Sequence, residues 1–118
     1  MPTVALALPI LTGQTETFRN AYQRFVSDRP SEFEQSRRRL GVRAERGFLQ
    51  HTPSADLAIV VFEVEDVPRM FAGVGSSDAP LDAEFRSYLQ QVFGLDVTRP
   101  PPSPLAESVF EWRASGGG

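Results

Sequence analysis

Over residues 3–10 the larger side chains Val4, Leu6, Leu8 and Ile10 alternate with Ala5, Ala7 and Pro9, and both sets are apolar. The alternation predicts a strand, and apolar residues on both sides predict that both of its faces are covered. Thr12-Gly13 then turns the chain. Phe18, Ala21, Tyr22 and Phe25 recur at helical spacing and predict one buried stripe. Pro30 ends or kinks that helix. Ser31 and Glu34 have the spacing of a capping box, opening a segment that carries Phe33 and Leu40 to a stop at Gly41.

A second strand is predicted over residues 46–52, with Phe48 and Gln50 on one side and Leu49 and His51 on the other. Pro53-Ser-Ala-Asp56 is a turn into a third strand, residues 57–65, which stays apolar on both faces until Glu63 and is therefore expected at the centre of a sheet. Asp66-Val-Pro and Asp78-Ala-Pro both read as helix starts, each with an aspartate at the N-cap and an early proline. The helix after the second places Leu81, Phe85, Leu89 and Val92 on one face and stops at Gly94. Residues 99–104, Arg-Pro-Pro-Pro-Ser-Pro, predict a stiff polyproline connector. A last strand is predicted over residues 106–113, with Val109 and Glu111 opposite Phe110 and Trp112, followed by a disordered Gly-rich tail at 115–118.

The order strand, helix, strand, strand, helix, strand describes one α+β domain over residues 1–114. It predicts a ferredoxin-like βαββαβ arrangement, a four-stranded antiparallel sheet with its helices on one face. Helices cover only one side of such a sheet, yet the first and third strands are apolar on both. A second copy of the chain is the simplest cover for the other side. The net charge of -3 argues against a nucleic-acid partner, which needs a concentrated basic face. With no cysteine, disulfides, thiolate metal sites and thiol nucleophiles are excluded. The apolar N-terminus is too short for a membrane span and lacks a basic leader, so a cytoplasmic protein without a membrane partner is expected.

Ser36-Arg-Arg-Arg-Leu-Gly41, Leu49-Gln-His-Thr-Pro53 and the strand end from Val60 to Asp66 resemble a small bacterial family of the dimeric α/β-barrel superfamily. In that superfamily two ferredoxin-like sheets face each other across a cavity. The resemblance extends over nearly the whole chain and implies a homodimer. Its members include cofactor-independent monooxygenases, haem-degrading enzymes, isomerases and plain binding proteins, so it bears on fold far more than on chemistry.

If Val4, Leu6 and Leu8 pack on the helices, Ala5 and Ala7 face the barrel cavity and leave room in it. Alternation then puts Gln50, Glu63 and Glu111 on that face as well. Glu63, a carboxylate on an apolar strand, is the candidate general acid or base, because desolvation raises a carboxyl pKa; an ion pair at the strand end is its ordinary alternative. Gln50 is its candidate partner, orienting a carbonyl or hydroxyl of a ligand. His51, the one histidine, and Glu111 are candidate ligand contacts, although His51 points away from Gln50 if the strand is regular. Tyr22 belongs to a core stripe with its hydroxyl reaching the rim. Arg37, Arg38 and Arg39 point in different directions on a helix and read as a solvated face; one of them, Arg37 the candidate, can still reach an anionic ligand at the cavity mouth.

Gly73-Val-Gly75 does not follow a strand, so it gives no dinucleotide fingerprint, and no phosphate loop or nucleophile elbow appears. No metal, nucleotide or flavin cofactor is indicated. The expected function is therefore a cofactor-independent enzyme of the monooxygenase, cyclase or isomerase type, acting on a small apolar or aromatic metabolite in the barrel. The alternative is a non-catalytic ligand-binding or structural homodimer.

Overall fold

The computed structural model describes residues 1–99 and 105–115. Its centre is an antiparallel sheet of three strands in the order β1-β3-β2: β1 is Thr3–Pro9, β2 Val42–His51 and β3 Asp56–Val64. β3, flanked on both sides, is the strand whose two faces read as apolar. Pairing aligns Val4 with Phe62, Leu6 with Val60 and Leu8 with Ala58 on one face, and Ala5 with Val61 and Ala7 with Ile59 on the other. On β2 the first face continues through Glu45, Gly47 and Leu49, and the second through Ala44, Arg46, Phe48 and Gln50.

The helices are α1 (Thr15–Tyr22), α2 (Pro30–Leu40), α3 (Val67–Ser76) and α4 (Pro80–Phe93). α1 runs on into a π-helical turn, Gln23–Ser27, in which the Asp28 N–H bonds the Gln23 carbonyl. The core gathers Val4, Val42, Ala58, Val60, Phe62 and Val64 from the first sheet face with Phe18, Ala21, Phe25, Leu40, Met70, Leu81, Tyr88 and Val92 from the helical layer. The α+β class and the one-sided helical layer are as expected. No helix of the described residues is long and apolar enough to cross a membrane.

Several local expectations are corrected. α2 begins with Pro30 at its first turn and Arg29 at the N-cap, so Ser31 lies inside the helix and caps nothing. Asp66 does cap α3, accepting from the Arg69 N–H at 2.8 Å, whereas Ala79 and not Asp78 holds the N-cap of α4. β2 starts at Val42, four residues before the expected start, behind an irregularity between Val42 and Ala44. Among the described residues the sheet has three strands, and the expected fourth is not seen. Residues 106–113 form no strand, and their Val109, Phe110 and Trp112 are 84%, 86% and 80% exposed. An extended segment becomes a strand only beside an edge that takes its hydrogen bonds, and no backbone bond joins this one to the sheet among the described residues. Residues 100–104 of the polyproline connector and 116–118 of the tail lie outside the described residues.

The Gly-x-Gly of α3 is a packing device. A Cβ on Gly75 would lie 2.5 Å from the Val97 carbonyl oxygen, and one on Gly73 would lie 2.7 Å from the Leu40 Cδ2. The first obstacle is backbone and the second is the end of a flexible side chain. Gly75→Ala is therefore expected to lower stability in urea unfolding by about 1–3 kcal/mol, despite the ~1 kcal/mol helix propensity it gains. Gly73→Ala, where the leucine can turn aside, should cost less; equal stability of both variants and the parent would show that α3 does not pack this closely.

Candidate functional site

A cavity of about 100 Å³ lies between the first sheet face and the helices. Leu6, Leu8, Val60 and Phe62 form its floor, and its walls are Phe18, Phe25, Phe33, Phe85, Tyr88 and Phe93. The rings meet mostly edge to face: Phe25 is 5.8 Å from Tyr88, and Phe18 is 6.0 Å from Phe93. Such contacts add ~0.5–1.5 kcal/mol beyond the area buried and hold the walls in fixed orientations.

One end of the cavity is polar. Arg37 from α2 meets Glu45 from β2, Nε to Oε1 at 2.8 Å and Nη2 to Oε2 at 3.2 Å, with the two side chains only 8% and 5% exposed. The guanidinium lies between the Phe33 and Phe85 rings, 4.3 and 4.5 Å from their centroids. A two-pronged carboxylate bond from a cation held against aromatic rings is a geometry arginine satisfies and lysine does not. The Tyr22 hydroxyl donates to the Glu45 Oε2, so that carboxylate has three donors on its two oxygens. Gly47, the next residue on this face of β2, stands against the Tyr22 ring, where a Cβ would lie 3.5 Å from the Tyr22 Cε2.

Behind the pair the network continues. Arg37 Nη1 donates to the Ser36 Oγ at 3.1 Å, and Ser36 donates to Asp82 at the start of α4. The second oxygen of Asp82 accepts from the Ser77 hydroxyl at 2.5 Å and the Arg39 Nε at 3.2 Å. Burial pushes the Asp82 carboxyl upward, but its bonds from Ser36, Ser77 and Arg39 outweigh that and hold it below the ordinary value. Burial first, then the charge and hydrogen bond of Glu45, push the Tyr22 hydroxyl far up, so it remains a donor at any physiological pH.

Tyr88 stands outside this network. Its ring lines the cavity, and no hydrogen bond of its hydroxyl is found among the described residues; since no side-chain polar atom shut off from solvent lacks a partner there, that hydroxyl keeps contact with solvent. Burial, then the nearby Glu45 charge, raise its pKa as well. A protonated phenol at the wall of an apolar cavity can exchange a water for a ligand's accepting oxygen.

The residues expected to carry chemistry fall in four places. Tyr22 and Arg37 come together at this cavity. Glu63 and Gln50 do share a face, but it is the face turned away from the helices, and both are exposed. Glu63 lies level with Ala44, six positions along β2 from Gln50, which is ~20 Å of strand, so one chain does not bring them together. His51, on the helix-side face, donates from Nδ1 to Asp56 at 2.7 Å, and Asp56 also accepts from the Thr15 hydroxyl at 2.6 Å. That group ties the start of α1 to the β2–β3 hairpin. Glu111 is exposed on the segment after α4, against Arg113 at 2.9 Å.

Glu45, Tyr88, Ser36 and Asp82 were not anticipated. Tyr88 had a signal, since it lies three residues after Phe85 and four before Val92 on the stripe already identified. Glu45 lay outside the predicted strand. No cluster of three His, Asp or Glu side chains suited to a metal ion is found among the described residues.

Two outcomes follow from the network. Glu45→Gln leaves Arg37 buried beside a neutral amide and should cost about 3–5 kcal/mol in chemical denaturation, whereas Arg37→Met combined with Glu45→Leu should recover most of it. A double variant as unstable as the two single losses added together would show that charge, and not its absence of a partner, holds α2 to β2. For Asp82 the folded pKa is depressed, so its stabilisation is full above the unfolded value of about 3.9 and is lost as pH falls through and below it. Urea midpoints measured from pH 5 to pH 2 should fall less steeply in Asp82→Asn than in the parent protein; identical slopes would remove Asp82 from the acid transition.

Comparison of the chain with protein-family models, with curated proteins and with solved structures finds no match, so the chemistry of the cavity has to be read from its own residues.

Proposed function

We propose that this chain is a small-molecule-binding protein whose site is the cavity between sheet and helices, and that its ligand is a small aromatic or largely apolar molecule carrying one hydrogen-bond-accepting oxygen. The observation that carries this reading is the cavity's wall of aromatic rings, which includes Tyr88, a phenol for which no hydrogen bond is found among the described residues. Sites for drug-sized ligands occupy ~300–1,000 Å³, and a single water needs ~10–15 Å³. A cavity of about 100 Å³ lies between these and suits a molecule of few heavy atoms. Tyr88 would fix the ligand's polar atom, and the rings would hold the rest.

Turnover is the second reading, and the Tyr22–Glu45 contact favours it. A phenol and a carboxylate at the edge of an apolar cavity are groups that can hold and orient a substrate's polar atom while it reacts, with Arg37 bonded to Glu45. This version keeps a cofactor-independent enzyme of the oxygenase, cyclase or isomerase type within the proposal but moves its polar group from Glu63 and Gln50 to Tyr22 and Glu45.

A homodimer of the α/β-barrel type belongs to the same reading. The sheet face away from the helices carries Ala5, Ala7, Leu57, Ile59, Val61 and Phe48, the last 47% exposed. A face of that composition supports a second sheet packed against it.

The binding claim is tested with phenol and toluene, nearly equal in shape but differing in one hydroxyl, titrated into the protein by calorimetry. Phenol should bind saturably, and Tyr88→Phe should lower the phenol-to-toluene affinity ratio about fivefold, the factor for one neutral hydrogen bond of ~1 kcal/mol. An unchanged ratio, or no saturable binding of either probe, would overturn the assignment of Tyr88.

A further inference from the structure

We propose that residues 106–113 form the missing fourth strand on a second copy of the chain, adding to the free edge of its β1. This deepens the pairing included in the proposed function and rests on it. The segment reads Ala-Glu-Ser-Val-Phe-Glu-Trp-Arg, with valine, phenylalanine and tryptophan, residues favoured in strands, next to one another or alternating with glutamate. Its three large apolar side chains are at least 80% exposed and touch neither core nor sheet edge. Leu105, immediately before it, still packs against the core, so the exposed stretch begins where contact with the domain ends.

The two edges of the sheet are built differently. β2 carries Arg43, Glu45 and Arg46 and an irregular register between Val42 and Ala44, the devices that keep a sheet edge from pairing with another chain. β1 pairs with β3 alone and presents Thr-Val-Ala-Leu-Ala-Leu-Pro, seven residues with no charge and a proline only at the last position. An unprotected apolar edge matches an unpaired apolar segment of about the same length, and both occur once in every copy.

Reciprocal exchange of the segment between two copies closes on itself, as a two-fold dimer requires. The area is also sufficient. Aromatic side chains bury about 150–250 Å² each, so the segments of both copies, with the two open sheet faces behind β1, exceed the roughly 1,200 Å² at which stable interfaces begin.

Trp112 is the chain's one tryptophan and reports on the segment directly. The full chain and a Phe110→Asp variant, both retaining Trp112, would be measured by light scattering after gel filtration and by tryptophan emission over a dilution series. The expected result is a dimer whose emission is blue-shifted and moves to the red as dilution dissociates it, with Phe110→Asp weakening the dimer by roughly 100-fold, as loss of a central aromatic anchor does. Since Phe110 is exposed in the single chain, this variant should keep the parent's circular dichroism. A dimer of unchanged affinity in Phe110→Asp, or one with solvent-exposed Trp112, would overturn strand exchange and leave sheet-to-sheet pairing in place. A monomer with exposed Trp112 would overturn pairing itself, and a monomer with buried Trp112 would place the segment on its own sheet.

Discussion

Arg37 and Glu45 are eight residues apart in the chain and join its two layers. α2 runs through Arg37 and Leu40, Gly41 reverses the backbone at φ 73°, and β2 returns directly beneath. A non-glycine residue would be strained at that angle. The turn is tight enough for the helix to lay a guanidinium over the inner face of the very strand it has just entered. Two buried charges cost several kcal/mol each to desolvate unless every donor and acceptor is engaged. Here the carboxylate has three donors, the guanidinium has two carboxylate oxygens and a serine, and aromatic faces close it above and below. Much of the surrounding arrangement follows from satisfying this pair. Tyr22 bonds to the strand's carboxylate, the Phe33 and Phe85 rings both lie close against the arginine, and Ser36 passes the network on to Asp82 in α4.

The same pair explains why the cavity has one polar end and why that end is positive and negative at once. A ligand meets no uncompensated charge, because Glu45 and Arg37 cancel at contact distance. What remains available is the Tyr88 hydroxyl. If the cavity takes a ligand as proposed, it would select by shape and by one hydrogen bond, the combination that discriminates strongly against analogues lacking the right polar atom and weakly among those differing by a methylene.

Periodicity was enough for the elements that bury a regular face. β1, β3, α1 and the Phe85-to-Val92 stripe all read directly from the chain, as did the grouping of Ala5, Ala7, Gln50 and Glu63 on the face away from the helices, because alternation along a strand is strict. The site was not legible for the converse reason. On the inner face of β2 the residues after Val42 are Glu45, Gly47 and Leu49, so a charge and a glycine stand where the pattern calls for apolar side chains, and the register is interrupted before them. By periodicity alone the strand begins at Arg46, which places Glu45 outside it. Arg37 was similarly disguised by Arg38 and Arg39, which do face solvent. Only burial distinguishes the three, and burial depends on what β2 brings opposite. Sequence patterns report the rule of a surface, whereas this site consists of the places where the rule is broken and repaired across two elements.

β1 connects the cavity to the edge of the molecule. Leu6 and Leu8 line the cavity floor, and both are only half-buried in the single chain, as is expected of a strand held from one side. A strand bonded on both edges fixes its side chains more firmly than an edge strand, whose backbone opens at lower free energy. If the 106–113 segment of a second copy completes that edge, it orders the floor on which the ligand rests. A ligand that requires the ordered floor must in turn favour the completed edge by the same factor, because coupling between two binding events is reciprocal. An uncharged β1 edge is then more than an unprotected one. It is the element through which association of two chains and occupation of the cavity can act on each other, with Leu6 and Leu8 as the contact between them.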